Sequence, residues 1–168
     1  MKKIVFMLMI CVLLSGCSLK KTYETTDIKK YGQYKGQFVS DGIVLMPKTL
    51  KDIQEVIYYK YISKRDPLYD SHYIRLKCRY DEDKFKKILT HISTYKNEYG
   101  EVSENTSEFN KLAYIWNYDI KVSNTYEFVF VDKAKREMEY VFVQYPVVFE
   151  KEKYMKRINE IYDEYMDD

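Results

Sequence analysis

The chain is poor in the residues from which common catalytic, metal-binding and phosphate-binding motifs are built. Its 168 residues include two histidines, three cysteines and five glycines. No Gly-x-Ser-x-Gly motif and no glycine-rich phosphate loop occurs. Asp66, Asp70 and His72 lie close together in the sequence, but they lack a recognised ligand spacing. The sequence therefore predicts no catalytic site, no metal and no cofactor, and it leaves enzyme activity unsupported rather than excluded.

Long apolar runs are also scarce, and the one that stands out is short. Lys2 and Lys3 precede eleven apolar residues, 4–14, which are followed by the small Ser15 and Gly16. A helix of this length covers roughly 16 Å, about half of the hydrocarbon layer of a bilayer. Basic, apolar and small segments in this order are typical of a secretory signal peptide. We therefore expect the segment to be removed rather than to span the membrane.

The end of this segment differs from the Ala-x-Ala-like pattern of ordinary secretory cleavage sites. It reads Leu14-Ser15-Gly16-Cys17, and these four residues resemble the lipobox of bacterial lipoprotein signal peptides. The resemblance covers residues 1–17 and carries no information about the remaining chain. It implies that the Cys17 thiol receives a diacylglyceryl group, that cleavage occurs just before it, and that Cys17 becomes the acylated first residue.

A covalent lipid of this kind would hold the protein at a membrane without a spanning segment. Each buried methylene contributes about 0.8 kcal/mol, so two palmitate-type acyl chains give stable attachment where one is marginal. The resemblance thus implies a domain on the extracytoplasmic side. Lys outnumbers Arg by 23 to 5 and Ala occurs twice, which is typical of an AT-rich genome. This bias indicates a Gram-positive bacterium, with the anchor in the outer leaflet of the cytoplasmic membrane.

Without the expected signal peptide, the chain has no excess of positive or negative charge. Without Lys2 and Lys3, the chain has 26 basic and 26 acidic side chains. A nucleic-acid-binding protein usually has a clustered basic excess, and an acidic tail would give the opposite imbalance. We therefore expect no nucleic-acid partner.

Intrachain disulfides are excluded as well. Cys11 leaves with residues 1–16, Cys17 is the expected lipid attachment site, and only Cys78 remains, so the exported domain must rely on its core. Cys78 alternates with polar residues and is expected to be a buried, inert thiol. The 152 residues that remain suffice for one domain but are few for a two-lobed solute-binding receptor.

Hydrophobic periodicity predicts one α+β domain behind a flexible tether. The tether is expected at 17–36, where it could reach roughly 60 Å, and the globular domain at 37–168. A mostly antiparallel sheet of about five strands, packed by about three helices, is expected in the order β-α-β-α-β-β-β-α. The expected strands are 37–46, 73–80, 112–118, 126–131 and 138–145, and the expected helices are 49–63, 81–95 and 151–165. The polar stretch 97–110 is expected to be a loop.

One expected strand carries three cations that could bind an anionic partner. Arg75, Lys77 and Arg79 alternate with apolar residues and so project from one face at roughly 7 Å intervals. They could bind a wall polymer such as teichoic acid, or an acidic protein. The alternative is that carboxylates on neighbouring strands neutralise them. The carboxylates considered are Glu127, Glu137 and Glu139.

Tyrosine is abundant, with 19 residues, and it offers a second kind of contact. Exposed tyrosine rings stack on sugars or anchor protein partners. Most of these tyrosines, however, lie in expected strands or on the apolar side of expected helices, and we expect them to pack inside the domain. Tyr58, Tyr59 and Tyr61 form the densest group. Three hypotheses follow: a binding module for a protein partner or cell-wall component, an inhibitor or immunity-type lipoprotein, and a small surface hydrolase with an unidentified active site.

Overall fold

The computed structural model describes residues 21–33, 43–66, 69–97, 100–105, 112–120 and 123–146. Its strands are β1 (Lys21–Thr25), β2 (Glu55–Asp66), β3 (Tyr69–Arg79), β4 (Lys96–Asn97), β5 (Gly100–Glu101), β6 (Ser103–Asn105), β7 (Leu112–Ile120), β8 (Ser123–Asp132) and β9 (Glu137–Pro146). Seven of them form one antiparallel sheet in the order β1-β2-β3-β9-β8-β7-β6, and β4 pairs with β5. The helical residues in the described ranges are α1 (Glu82–Ser93), a 3-10 turn (Ile28–Lys30) and residues 31–33.

The predicted α+β fold with about five strands and three helices is therefore wrong. The described part of the chain is mostly β, built on a seven-stranded antiparallel sheet with short helices. The order β-α-β-α-β-β-β-α fails at its first helix, because most of the expected helix 49–63 belongs to β2. β-branched and aromatic residues dominate this segment and favour a strand.

A β-bulge explains why the sequence of β2 imitates helical spacing. Val56 lies opposite Cys78 and Tyr58 opposite Lys77, so Ile57 is an extra residue between two consecutive ladder positions. A bulge shifts the alternation of faces by one residue. Val56 and Tyr59 consequently pack on the same side of the sheet although they are three residues apart, as neighbours on one face of a helix would be.

Several other segments differ from expectation. The range 17–36, expected to be a tether, overlaps the sheet at β1, which pairs with β2. Of the expected strand 37–46, residues 37–42 lie outside the described ranges, and residues 43–46 do not form a strand. The expected loop 97–110 includes β5 and β6. The expected helix 151–165 lies outside the described residues.

The elements with the clearest periodicity are found where they were expected. Strands β7, β8 and β9 contain the predicted ranges and extend beyond them by a few residues, and β3 includes all of the predicted strand 73–80 except Tyr80. Helix α1 follows β3 directly, and Asp81 caps it by accepting a hydrogen bond from the Lys84 N–H at 2.8 Å. Glu82 and Asp83 place further negative charge in the first turn, where it complements the helix dipole.

The main core lies on one face of the sheet, under α1 and residues 43–53. Ile74, Leu76 and Cys78 of β3 are fully buried there, next to Phe85 and Ile92 of α1. Strand β9 occupies the centre of the sheet and is buried on both faces, and β8 lies next to it. Apolar residues on both sides of β8 and β9 suit these strands to the interior of the sheet.

Candidate functional site

The three cations identified in the sequence lie on the face of β3 opposite the main core. Arg75, Lys77 and Arg79 alternate with Leu76 and Cys78, which are fully buried in that core. Strand β3 is paired with β2 on one side and with β9 on the other. Each cation is therefore within reach of side chains from two neighbouring strands.

Arg75 is the most enclosed of the three. Its Nε donates a hydrogen bond to Oε1 of Glu139 at 2.5 Å, and its guanidinium carbon lies 4.9 Å from the centroid of the Tyr58 ring. The side chains of Arg75 and Glu139 are only 11% and 8% exposed. Burial lowers the pKa of Arg75, but the adjoining Glu139 carboxylate outweighs this effect and raises the pKa above its ordinary value. Arg75 is thus a charged, structurally paired residue.

Glu137 forms ion pairs with both of the other cations, Lys77 and Arg79. Its Oε1 accepts a hydrogen bond from Nη2 of Arg79 at 2.6 Å, and its Oε2 lies 3.1 Å from Nζ of Lys77. Nη1 of Arg79 also donates to Oε2 of Glu55 at 2.6 Å, so the pairing extends from β9 across to β2. Burial raises the pKa of Glu137, but the hydrogen bonds from Arg79 and Lys77 more than offset it and hold the pKa below its ordinary value.

Through these contacts, the three cations of β3 (the cationic stripe) and three carboxylates form a network without net charge, which we call the ion-pair ladder. Its members are Arg75, Lys77, Arg79, Glu55, Glu137 and Glu139. Of the two alternatives raised by the sequence, the geometry favours pairing with neighbouring carboxylates. Binding of an anionic partner by the stripe gains no support from this arrangement, because three carboxylates already offset the three positive charges.

Glu127, the third carboxylate considered as a partner of the stripe, lies on the other face of the sheet. It stands opposite Phe142 in the β8–β9 ladder and is fully buried. Its Oε1 accepts a hydrogen bond from the N–H of Val44, and its Oε2 accepts from the N–H groups of Leu45 and Met46 at 2.8 and 3.0 Å. One carboxylate therefore satisfies three consecutive backbone donors. We call this arrangement the Glu127 clamp.

The sequence contains a signal for the clamp in the position of Glu127 along β8. Glu127 lies two residues before Val129 and four before Val131, and both valines pack in the main core. Strict alternation along β8 therefore assigns Glu127 to the core face, where a carboxylate needs strong hydrogen-bond donors. Which donors supply them could not be read from the sequence, because Val44 to Met46 lie about 80 residues away along the chain.

The residues considered as weak metal-ligand candidates are found at the turn end of the β2–β3 ladder. His72 is buried, lies opposite Ser63, and its Nδ1 is 3.2 Å from the hydroxyl oxygen of Tyr61. The side chains of Asp66 and Asp70 are outside what the structure describes. Among the described side chains, no group of three or more His, Cys, Asp or Glu residues is placed to hold a metal ion.

Cys78 and the tyrosines are used for packing. Burial raises the pKa of Cys78 to about 12, and its Sγ donates to the carbonyl oxygen of Met138 at 3.8 Å, which confirms the predicted buried thiol. The hydroxyl groups of Tyr80 and Tyr140 lie 3.0 Å apart within the same core. Tyr59 and Tyr61 are buried and Tyr58 covers Arg75, so this group packs as expected.

The residues that indicate lipidation, Leu14, Ser15, Gly16 and Cys17, precede the described ranges, which begin at Lys21. Within those ranges, no helix has the length and apolar character needed to cross a membrane. Comparison of the chain with protein-family models, with curated proteins and with solved structures gives no match.

Proposed function

We propose that this chain is a bacterial lipoprotein whose β-sheet domain acts outside the membrane as a binding module for a protein partner or a cell-wall component. The observation that carries the anchor is the run Leu14-Ser15-Gly16-Cys17 behind a basic and then an apolar segment. A diacylglyceryl group on Cys17 supplies two acyl chains, which suffice for stable attachment. The domain then faces the wall from the outer leaflet of a Gram-positive cytoplasmic membrane.

The binding role is supported by how the described ionisable groups of the sheet are used. Glu127 is committed to three backbone donors, Glu137 and Glu139 to cations of β3, and Cys78 to the core. Groups held in this way stabilise a rigid sheet rather than supply a nucleophile or a mobile proton. A rigid sheet with exposed loops and edges is well suited to recognition.

The anchor is tested by replacing the acylated residue. Cys17→Ser removes the thiol that forms the thioether, so we expect incorporation of a clickable palmitate analogue to fall to background and the precursor to keep residues 1–16. The measurement is in-gel fluorescence together with intact mass. Cys11→Ser, inside the apolar run, is the matched control and is expected to label normally. Labelling of Cys17→Ser at the level of the unmodified chain would refute the anchor.

The binding role is tested by photocrosslinking in intact cells. Tyr23 and Ile57 are the large apolar side chains that the described residues expose, at 41% and 40%. With a photoreactive residue at either position, we expect a light-dependent adduct with one protein or one wall fragment, identified by mass spectrometry. The same group at Lys133, in the exposed turn between β8 and β9, is the control. The absence of any adduct from Tyr23 and Ile57 would count against a binding module that uses these surfaces.

A further inference from the structure

We propose that one corner of the sheet docks on anionic phospholipid headgroups next to the lipid anchor. The corner consists of Lys21 at the start of β1 and Lys64 near the end of β2, and we call it the anchor-proximal corner. This inference rests on the proposed acylation of Cys17, and it names the surface that the anchored domain turns towards the membrane.

The length of chain between the acylated residue and the sheet places this corner near the bilayer. Strand β1 begins at Lys21, four residues after Cys17. Four residues span at most about 14 Å when fully extended. A tether of 20 residues, as expected for 17–36, would leave the orientation of the domain open, whereas this short connection keeps the start of β1 beside the headgroups.

The register of the sheet brings Lys64 to the same corner. Thr22 lies opposite Lys64 and Lys21 opposite Arg65 in the β1–β2 ladder. Paired strands are about 4.8 Å apart, so Lys64 lies one strand away from the point where the chain enters the sheet. Both lysines are exposed. Lys21 and Lys64 belong to neighbouring pairs of the β1–β2 ladder, so their side chains project from opposite faces of the sheet. This end of the sheet can approach a flat surface with both lysines.

The carboxylate of β1 does not neutralise either of these two lysines. Glu24, the acidic residue of β1, is engaged by Lys60 at 3.3 Å. Among the described residues, neither Lys21 nor Lys64 has a carboxylate within ion-pair distance. Arg65 lies opposite Asp70 in the β2–β3 ladder, so we do not count it as part of the corner.

An anionic lipid surface fits this corner in both position and charge. A basic side chain next to a leaflet that contains anionic lipid raises membrane affinity by about fivefold. The attraction acts within about 8 Å at physiological ionic strength, which requires the corner to be held close to the headgroups. The short connection to Cys17 meets this requirement for the first strand of the sheet and for its immediate neighbour.

The experiment uses the purified lipoprotein in vesicles of phosphatidylcholine, with or without about one third phosphatidylglycerol. Amine acetylation of each lysine is followed by mass spectrometry. We expect acetylation of Lys21 and Lys64 to slow by about fivefold on the anionic vesicles and to recover in high salt. Lys133 is the control, because its turn lies at the other end of the sheet, about 25 Å along β3 from Lys64.

A pair of double variants extends the test to affinity. Lys21→Gln with Lys64→Gln is expected to speed transfer of the lipoprotein from anionic to neutral vesicles by roughly 25-fold, since two contacts are lost. Lys133→Gln with Lys135→Gln removes the same charge at the far end and is expected to leave the transfer rate unchanged. Equal transfer rates for the two double variants would overturn the proposal.

The remaining outcomes separate failure of the docking from failure of the anchor. A protein that does not sediment with phosphatidylcholine vesicles lacks the anchor, whatever its lysines do. A protein that sediments, but acetylates Lys21, Lys64 and Lys133 at rates independent of lipid composition, is anchored without docking. Protection of Lys21 and Lys64 by soluble poly(glycerol phosphate), with none on anionic vesicles, would assign the corner to a wall polymer and overturn the proposal.

Discussion

Glu127 shows how a single charged residue can be accommodated in an apolar core. A buried carboxylate is costly unless hydrogen bonds replace its hydration. In the Glu127 clamp, three consecutive N–H groups provide this replacement, and the carboxylate in turn satisfies donors that no strand partner reaches. The clamp thereby fixes Val44 to Met46 over the sheet, and Leu45 and Met46 become part of the core.

We predict that Glu127→Gln lowers the free energy of unfolding by about 2–3 kcal/mol. The amide supplies one acceptor oxygen, and its NH₂ group faces backbone donors that it cannot pair with. Urea unfolding followed by circular dichroism measures the change. Glu24→Gln, which alters an exposed pair with Lys60, is the control and is expected to change stability by less than about 0.5 kcal/mol. Similar losses in both variants would contradict the clamp.

At the scale of elements, the ion-pair ladder links β2, β3 and β9 on the face opposite the main core. Antiparallel register aligns Arg79 with Glu137 and Lys77 with Glu139, so opposite charges meet directly across the strands. Salt bridges then form both straight across and diagonally, from Lys77 to Glu137 and from Arg75 to Glu139. Such a ladder favours one register, because a slip by one residue would turn its charged side chains towards the main core.

The depressed pKa of Glu137 predicts an acid-sensitive contribution to stability. The unfolded chain binds this proton near the ordinary value of 4.5, and the folded chain binds it only at lower pH. The stabilisation is therefore fully present above about pH 4.5 and is lost as the pH falls through the folded pKa. Glu137→Gln is expected to cost about 1–3 kcal/mol at pH 7 and to flatten the stability profile below pH 5.

The measurement is urea unfolding at intervals from pH 7 to pH 3. Glu82→Gln is a suitable control, because hydrogen bonding to Lys86 also lowers the pKa of Glu82, but the residue is exposed on α1. We expect this control to stay within about 0.5 kcal/mol of the unmodified chain at every pH. A Glu137→Gln profile parallel to that of the unmodified chain would exclude the ladder as the source of acid sensitivity.

At the scale of the whole molecule, the strand order decides where the proposed anchor is joined to the sheet. Strand β1 is at one edge of the seven-stranded sheet, and the described part of the chain enters the fold there. The proposed anchor is therefore joined to an edge of the sheet and not to its centre. In the proposed anchored state, the far end of β3, with α1 and the turn between β8 and β9, is the end of the sheet farther from the anchor.

Prediction from sequence succeeded where a local pattern was sufficient. The alternation in β3 located that strand, and local periodicity located the expected helix 81–95 and the expected strands 126–131 and 138–145. Prediction failed at β2, because the bulge at Ile57 gives three-residue spacings that a helix would also give. It failed at β1 as well, because an exposed edge strand has no apolar alternation to detect.

The sequence by itself determined the lipobox-like run Leu14 to Cys17 and the composition, with 28 basic and 26 acidic side chains and three cysteines, since these depend on residues that are adjacent or simply counted. Tertiary structure alone decided the partners of the charged residues. Arg75 meets Glu139 across 64 positions of sequence, and Glu127 meets Leu45 across 82. Such pairings depend on strand order and register, which are fixed only when the whole sheet assembles.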